Sequence, residues 1–203
     1  TERERGMSCR SLTLPFLLML VGLGVPALAH TSDASAAGGF TTGFLHPVMG
    51  LDHLVAMVAV GLWGAILGKP AIWVLPVAFP LVMAMGGALG VAGVPLPWVE
   101  TGIAASGVVI GLAVGLALRP PVAVAALVVG LFAIFHGHAH GTEMPNAASP
   151  VAYAAGFVIG TGLLHLAGIA FGQLVARSWG LVAVRVSGGL IALTGAAFLT
   201  GVL

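Results

Sequence analysis

The stretch that decides the fold runs from residue 43 to residue 67, GFLHPVMGLDHLVAMVAVGLWGAIL. As a helix it is long enough to cross the roughly 30 Å hydrocarbon core of a bilayer. Its first half nevertheless carries His46, Asp52 and His53. Titratable side chains are costly in hydrocarbon, so a span that keeps three of them is read as functional by default. Asp52 falls about nine residues, or ~14 Å, below the start of the span, near the expected midplane. A carboxylate there requires a cation, a proton or a hydrogen-bond donor. His53 shares a helical stripe with Met49 and Met57. In a straight helix His46 lies on that stripe ~10 Å higher, which strains joint ligation of one ion by the two histidines. Pro47 suits a first helical turn, so the alternative is that His46 sits in a bent segment at the start of the span.

The rest of the chain has the same character. Of its 203 residues 59% are apolar and 6% charged, where a soluble domain has roughly a quarter charged, and the mean hydropathy is +1.13. A water-soluble globular fold is excluded. Apolar stretches at 43–67, 71–93, 100–118, 121–141, 150–176 and 184–203 each match a span. Breakers separate them, among them Gly68-Lys69-Pro70, Val94-Pro95-Leu96-Pro97 and Arg119-Pro120-Pro121. The expected fold is all-α, a polytopic bundle of six transmembrane helices over residues 30–203, with short loops and the lipid bilayer as its surroundings. The net charge of +1, with no basic run after residue 10, excludes nucleic acid as a partner.

From Met7 the sequence reads MSCRSLTLPFLLMLVGLGVPALA, with Arg10 ahead of an apolar run and Ala27-Leu28-Ala29 matching the small-x-small cleavage rule. Residues 1–29 are therefore read as a secretory signal peptide, residues 1–6 preceding its Met. The alternative, an uncleaved first anchor, is disfavoured because an apolar run of ~14 residues is short for a span. Cleavage removes Cys9, the single cysteine, and with it any disulfide or thiolate metal site. It leaves His30 as the mature N-terminus, where an α-amine and an imidazole on one residue can chelate a metal ion. With residue 30 outside, Lys69, Arg119, Arg177 and Arg185 fall inside while Asp33, Glu100 and Glu143 fall outside. This is the positive-inside pattern without an exception.

Two more polar groups stand out. In FHGHAHGTE, residues 135–143, His136 and His140 are i and i+4 and Glu143 continues their face, a spacing that lets two imidazoles of one helix meet one metal ion. His138 points to the other side unless Gly137 and Gly141 unwind the helix end; the plainer alternative for the whole tract is a solvent-facing run of histidines. His165 stands alone in GTGLLH, residues 160–165, where a core histidine is ordinarily bonded to backbone or water. Glycines recur at close spacing, as in Gly107-Gly111-Gly115 and Gly156-Gly160, which lets helix backbones approach each other in lipid. Imidazole and carboxylate without thiolate suit Ni²⁺, Co²⁺ or Zn²⁺ and disfavour Cu(I).

The pattern His46-Pro47-x-x-Gly50-x-Asp52-His53-x-x-x-Met57-x-x-Val60-Gly61-x-x-x-Ala65 resembles the signature of the HupE/UreJ family of nickel/cobalt permeases. The resemblance extends to the leader, the six spans, the histidine-rich end of the fourth span and the glycine-rich fifth span with its histidine. It implies uptake of Ni²⁺, in some members Co²⁺, across the bacterial inner membrane, with the mature N-terminus periplasmic. It also implies that His46, Asp52 and His53 take part in transport. The metal is then substrate, there is no resident cofactor, and the protein is not an enzyme. On this reading His30, His136, His140 and Glu143 capture periplasmic metal and pass it to His46, Asp52 and His53, with His165 a further ligand. One rival is an intramembrane zinc-dependent hydrolase, against which stands the lack of a second carboxylate near the midplane, Glu100 and Glu143 being at the outer surface. Another is an accessory membrane subunit that binds metal without passing it. The chain has no nucleotide-binding glycine-rich loop. A reporter fused after Arg119 is expected to be cytoplasmic; periplasmic reporter activity there overturns the topology.

Overall fold

The computed structural model describes residues 36–143 and 149–203, with side chains from 38 to 142 and from 149 onward. The leader and His30 lie outside the described residues, as does the side chain of Glu143. The described residues are helical throughout, joined by short turns. The helices are α1 (Ala36–Met49), α2 (Leu51–Leu67), α3 (Ala71–Val91), α4 (Val99–Gly115), α5 (Val122–Glu143), α6 (Pro150–Gly172) and α7 (Gly180–Leu199), with a 3-10 turn over Gln173–Ala176. Starts follow local chemistry. Ser149 accepts a hydrogen bond from the Ala152 amide ahead of α6, and Pro150 occupies the first turn, where its missing N–H costs nothing.

The first expected span is not one straight helix. Its two parts, Gly38–Met49 and Leu51–Leu67, are bent by 77° to each other. Gly50 is the hinge, extended at φ −79° and ψ 111°, and it caps the start of α2. Its amide still bonds the His46 carbonyl at 3.3 Å, and its carbonyl accepts from Leu54 at 2.8 Å, so one ladder ends and the next begins on a single residue. Pro47 lies in the last turn of α1 rather than a first turn, where it leaves the Gly43 carbonyl without its helical donor. Asp52 in the first turn of α2 is favoured by the positive end of the helix dipole. A Cβ at Gly50 would stand 3.1 Å from Asp52 Oδ1 and 3.2 Å from His53 Nδ1, so a larger residue would press on the pair packed over it.

Helices α3, α5 and α7, and α6 with its 3-10 turn, are long and apolar enough to cross a membrane, and the α1–α2 pair adds a fifth crossing if taken as one broken span. The apolar α4 is shorter, at 17 residues. Large apolar side chains cover the outside of the bundle: Leu127 is 73% exposed and Leu193 68%, a surface suited to lipid and not to water.

Packing runs through glycine. The closest pairings are α3 with α5, α4 with α7, α1 with α6 and α2 with α6. At each seam a Cβ on a glycine would strike the backbone opposite: Gly137 against the Met83 carbonyl, Gly111 against the Ala192 amide, Gly156 against the Phe40 carbonyl, Gly61 against the His165 carbonyl. Lipid offers no hydrophobic force to join helices, so close backbone approach supplies the attraction by van der Waals packing. Gly137→Ala forces α5 away from α3 and is expected to cost about 1–3 kcal/mol, as other overpacked sites do. Gly189→Ala, with nothing within 4 Å of its Cβ, serves as the neutral control. Thermal unfolding in detergent checks this, and equal midpoints for the two variants contradict it.

Candidate functional site

The hinge at Gly50 folds the end of α1 back toward the start of α2, so the His46 and His53 rings come to 6.1 Å between centroids. Helix α5 adds two more rings from successive turns. His140 lies 4.8 Å from His46 and 4.5 Å from His53, and His136 lies 5.0 Å from His53. Imidazoles from three helices thus form one string, three of whose members, His46, His53 and His140, all adjoin one another. Phe157 packs 4.3 Å from His140, Phe79 5.5 Å from His136, and Tyr153 6.1 Å from His46, an apolar and aromatic wall that keeps the effective dielectric low.

Hydrogen bonding within the string is incomplete in a particular way. His53 Nδ1–H donates to Asp52 Oδ1 at 2.9 Å. His53 Nε2, His136 Nδ1 and both nitrogens of His140 are buried without a hydrogen-bond partner. Buried polar atoms are usually paired, so such a concentration of bare imidazole nitrogens is an exception that fits ligands of a soft or borderline cation. The rings meet edge-on or tilted, and among the described residues no three His, Cys, Asp or Glu side chains form a ready metal cage. The arrangement is an open group in which His46, His53 and His140 are mutual neighbours and His136 adjoins His53.

Asp52 opens onto a cavity of about 290 Å³ whose other walls include Glu100 and Thr101 of α4 and Phe198 and Leu199 of α7. The sequence placed Asp52 halfway down a span and Glu100 apart at the surface. Because α2 begins at Leu51, Asp52 is instead at a helix start, level with the first turn of α4, and the two carboxylates share one cavity. Glu100 was missed as a site residue, although an isolated acid opening an otherwise uncharged helix is a signal that could have found it.

The remaining histidines divide. His138 is turned away from the string, as the helical spacing predicts, and its Nε2–H donates to the Val94 carbonyl at 2.7 Å, tying α5 to the α3–α4 loop. All three histidines of the tract are buried, so it is not a solvent-facing run. His165, 1% exposed, stands outside the string, its ring 5.5 Å from Phe79, so that Phe79 touches both His136 and His165. Its polar neighbour is the Pro76 carbonyl, which has no helical donor because Pro80 lacks an N–H. Ser106 of α4, also missed by the sequence reading, reaches His136 Nε2 at 2.9 Å.

Comparison with known proteins bears on this arrangement. A family profile described as HupE / UreJ protein matches residues 18–198. Protein HupE of Rhizobium leguminosarum bv. viciae is 47% identical over 182 residues, covering 90% of this chain and 95% of the relative. No solved structure matches. With a profile spanning the histidine string, the hinge and every helix, the chain belongs to the HupE/UreJ family.

Proposed function

We propose that the chain is a secondary permease that takes up Ni²⁺, with Co²⁺ as the alternative substrate, across the bacterial inner membrane. Its family, one associated with nickel and cobalt transport, supports a metal cargo. The observation that carries the mechanism is the group of imidazoles at 4.5 to 6.1 Å spacings from α1, α2 and α5. An open group of neighbouring imidazoles favours passage, because several donors lie within reach of one ion while no three of the described side chains form a closed cage. A resident zinc site, by contrast, needs three protein ligands fixed on one ion.

In this reading the cavity with Asp52 and Glu100 collects the dication from the periplasmic side, and the two carboxylates offset its loss of water. His53 and His140 receive it, flanked by His46 and His136. His136 and His140 adjoin His53 and His46 directly and so act with them, and His30 and Glu143 are the further capture ligands of this proposal. His165 and the Pro76 carbonyl form the next polar stop beyond Phe79. Six crossings are counted by taking α1–α2 as one broken span and α4 as a short one, with the mature N-terminus periplasmic. The bond from Arg185 Nε–H to the Gly115 carbonyl, 2.8 Å, supports this orientation by tying the start of α7 to the end of α4, next to Arg119.

The two carboxylates on one cavity would also suit hydrolysis by a zinc-bound water, and one assay separates the readings. Cells lacking other nickel importers and expressing this chain are expected to accumulate radioactive nickel. Asp52→Asn and His140→Ala should each lower accumulation by about tenfold or more, as loss of a ligand or its orienting partner does, with unchanged membrane insertion. No accumulation with the unaltered chain, or full accumulation with both variants, contradicts the proposal.

A further inference from the structure

Ser106 is fully buried on α4, and its hydroxyl has two polar neighbours. Oγ donates to the Ile103 carbonyl oxygen at 2.6 Å, the short back-bond that a serine makes to the preceding turn of its own helix. The same Oγ lies 2.9 Å from His136 Nε2. A hydroxyl has one proton to give and two lone pairs to receive with. With that proton on Ile103, the second contact must be an N–H donating to oxygen. The reverse assignment would bring two oxygens to 2.6 Å with no proton between them, a distance found only within a hydrogen bond.

A neutral imidazole carries its proton on one nitrogen and its lone pair on the other. His136 is therefore the Nε2–H form, and Nδ1, buried and without a partner, holds the lone pair. We propose that Ser106 is a positioning residue that fixes His136 in this tautomer, so that Nδ1 is the atom it offers to the transported metal. The metal half of the statement rests on the permease reading; the tautomer does not.

Asp52 performs the matching task on the neighbouring ring, accepting as Ser106 does but from the other nitrogen. It accepts from His53 Nδ1–H, so His53 offers Nε2, which is likewise buried and bare. The rings of His53 and His136, 5.0 Å apart, are thus anchored by unlike nitrogens and present unlike nitrogens. Metal-binding histidines generally have the far N–H held by a carboxylate, carbonyl or water. Here a carboxylate serves one ring, and a hydroxyl backed by a carbonyl serves the other. An alanine at position 106 would leave Nε2 without its acceptor, and the proton would then be free to occupy either nitrogen.

The test is ¹⁵N NMR of histidine-labelled protein in detergent, with the His136 signals assigned by their loss in His136→Gln, alongside titration of the same preparations with NiCl₂. The unaltered protein is expected to show His136 with Nε2 protonated and Nδ1 bare. Ser106→Ala is expected to give a tautomer mixture and nickel affinity lower by about 10–100-fold, while Ser106→Thr, which keeps the hydroxyl, restores both. His136 protonated on Nδ1 in the unaltered protein, or unchanged signals and affinity in Ser106→Ala, overturns the proposal. If Ser106→Ala shifts the His136 signals but the unaltered protein binds no nickel, the tautomer control stands and the permease reading fails.

Discussion

A straight α-helix sets residues seven apart roughly 10 Å from each other along its axis, and the site of this protein exists because that constraint is broken at Gly50. The 77° bend between α1 and α2 brings His46 to 6.1 Å from His53. It also turns Asp52 from a mid-span carboxylate into a first-turn residue that faces a cavity. The absent side chain at Gly50 leaves space for the Asp52–His53 pair that packs over it. Hinge and histidine–aspartate pair are therefore one feature of the sequence.

The glycine seams hold that geometry. Gly137 and Gly141 lie on either side of His138 and on the contact with α3, where their missing side chains let α5 settle against the Met83 and Gly87 carbonyls. The same two residues bracket the turn that carries His140, so the depth of the seam sets how far His136 and His140 reach toward α2. On the other flank Gly61 seats α2 against the backbone of His165. Displacing either seam by the width of a methyl group would move donors whose spacing is already at ring contact.

Much of this was legible beforehand. Runs of apolar residues between Pro, Gly and Arg breakers located the helices closely, as at 71–93 against the observed Ala71–Val91. The scarcity of polar residues made each histidine and Asp52 conspicuous. Three things were hidden, each for a physical reason. The place of the bend was hidden because the preference of Pro47 for a first helical turn points to a break ahead of it, whereas the chain breaks after it, at Gly50. The union of His136 and His140 with His46 and His53 depends on which helices adjoin, and helices apolar on every side carry little periodic signal of which face looks inward. Ser106 looked like any small residue of an apolar helix, since its role lies in a proton directed across to α5.

The proposed transport depends on the hinge that joins imidazoles of three helices. X-ray absorption at the nickel K-edge of the purified, nickel-loaded protein tests this most directly. The expected result is the multiple-scattering signature of several imidazoles, weakened in both His46→Ala and His140→Ala, whose side chains come from α1 and α5. A nickel environment of oxygen ligands alone, or one that neither variant alters, contradicts it.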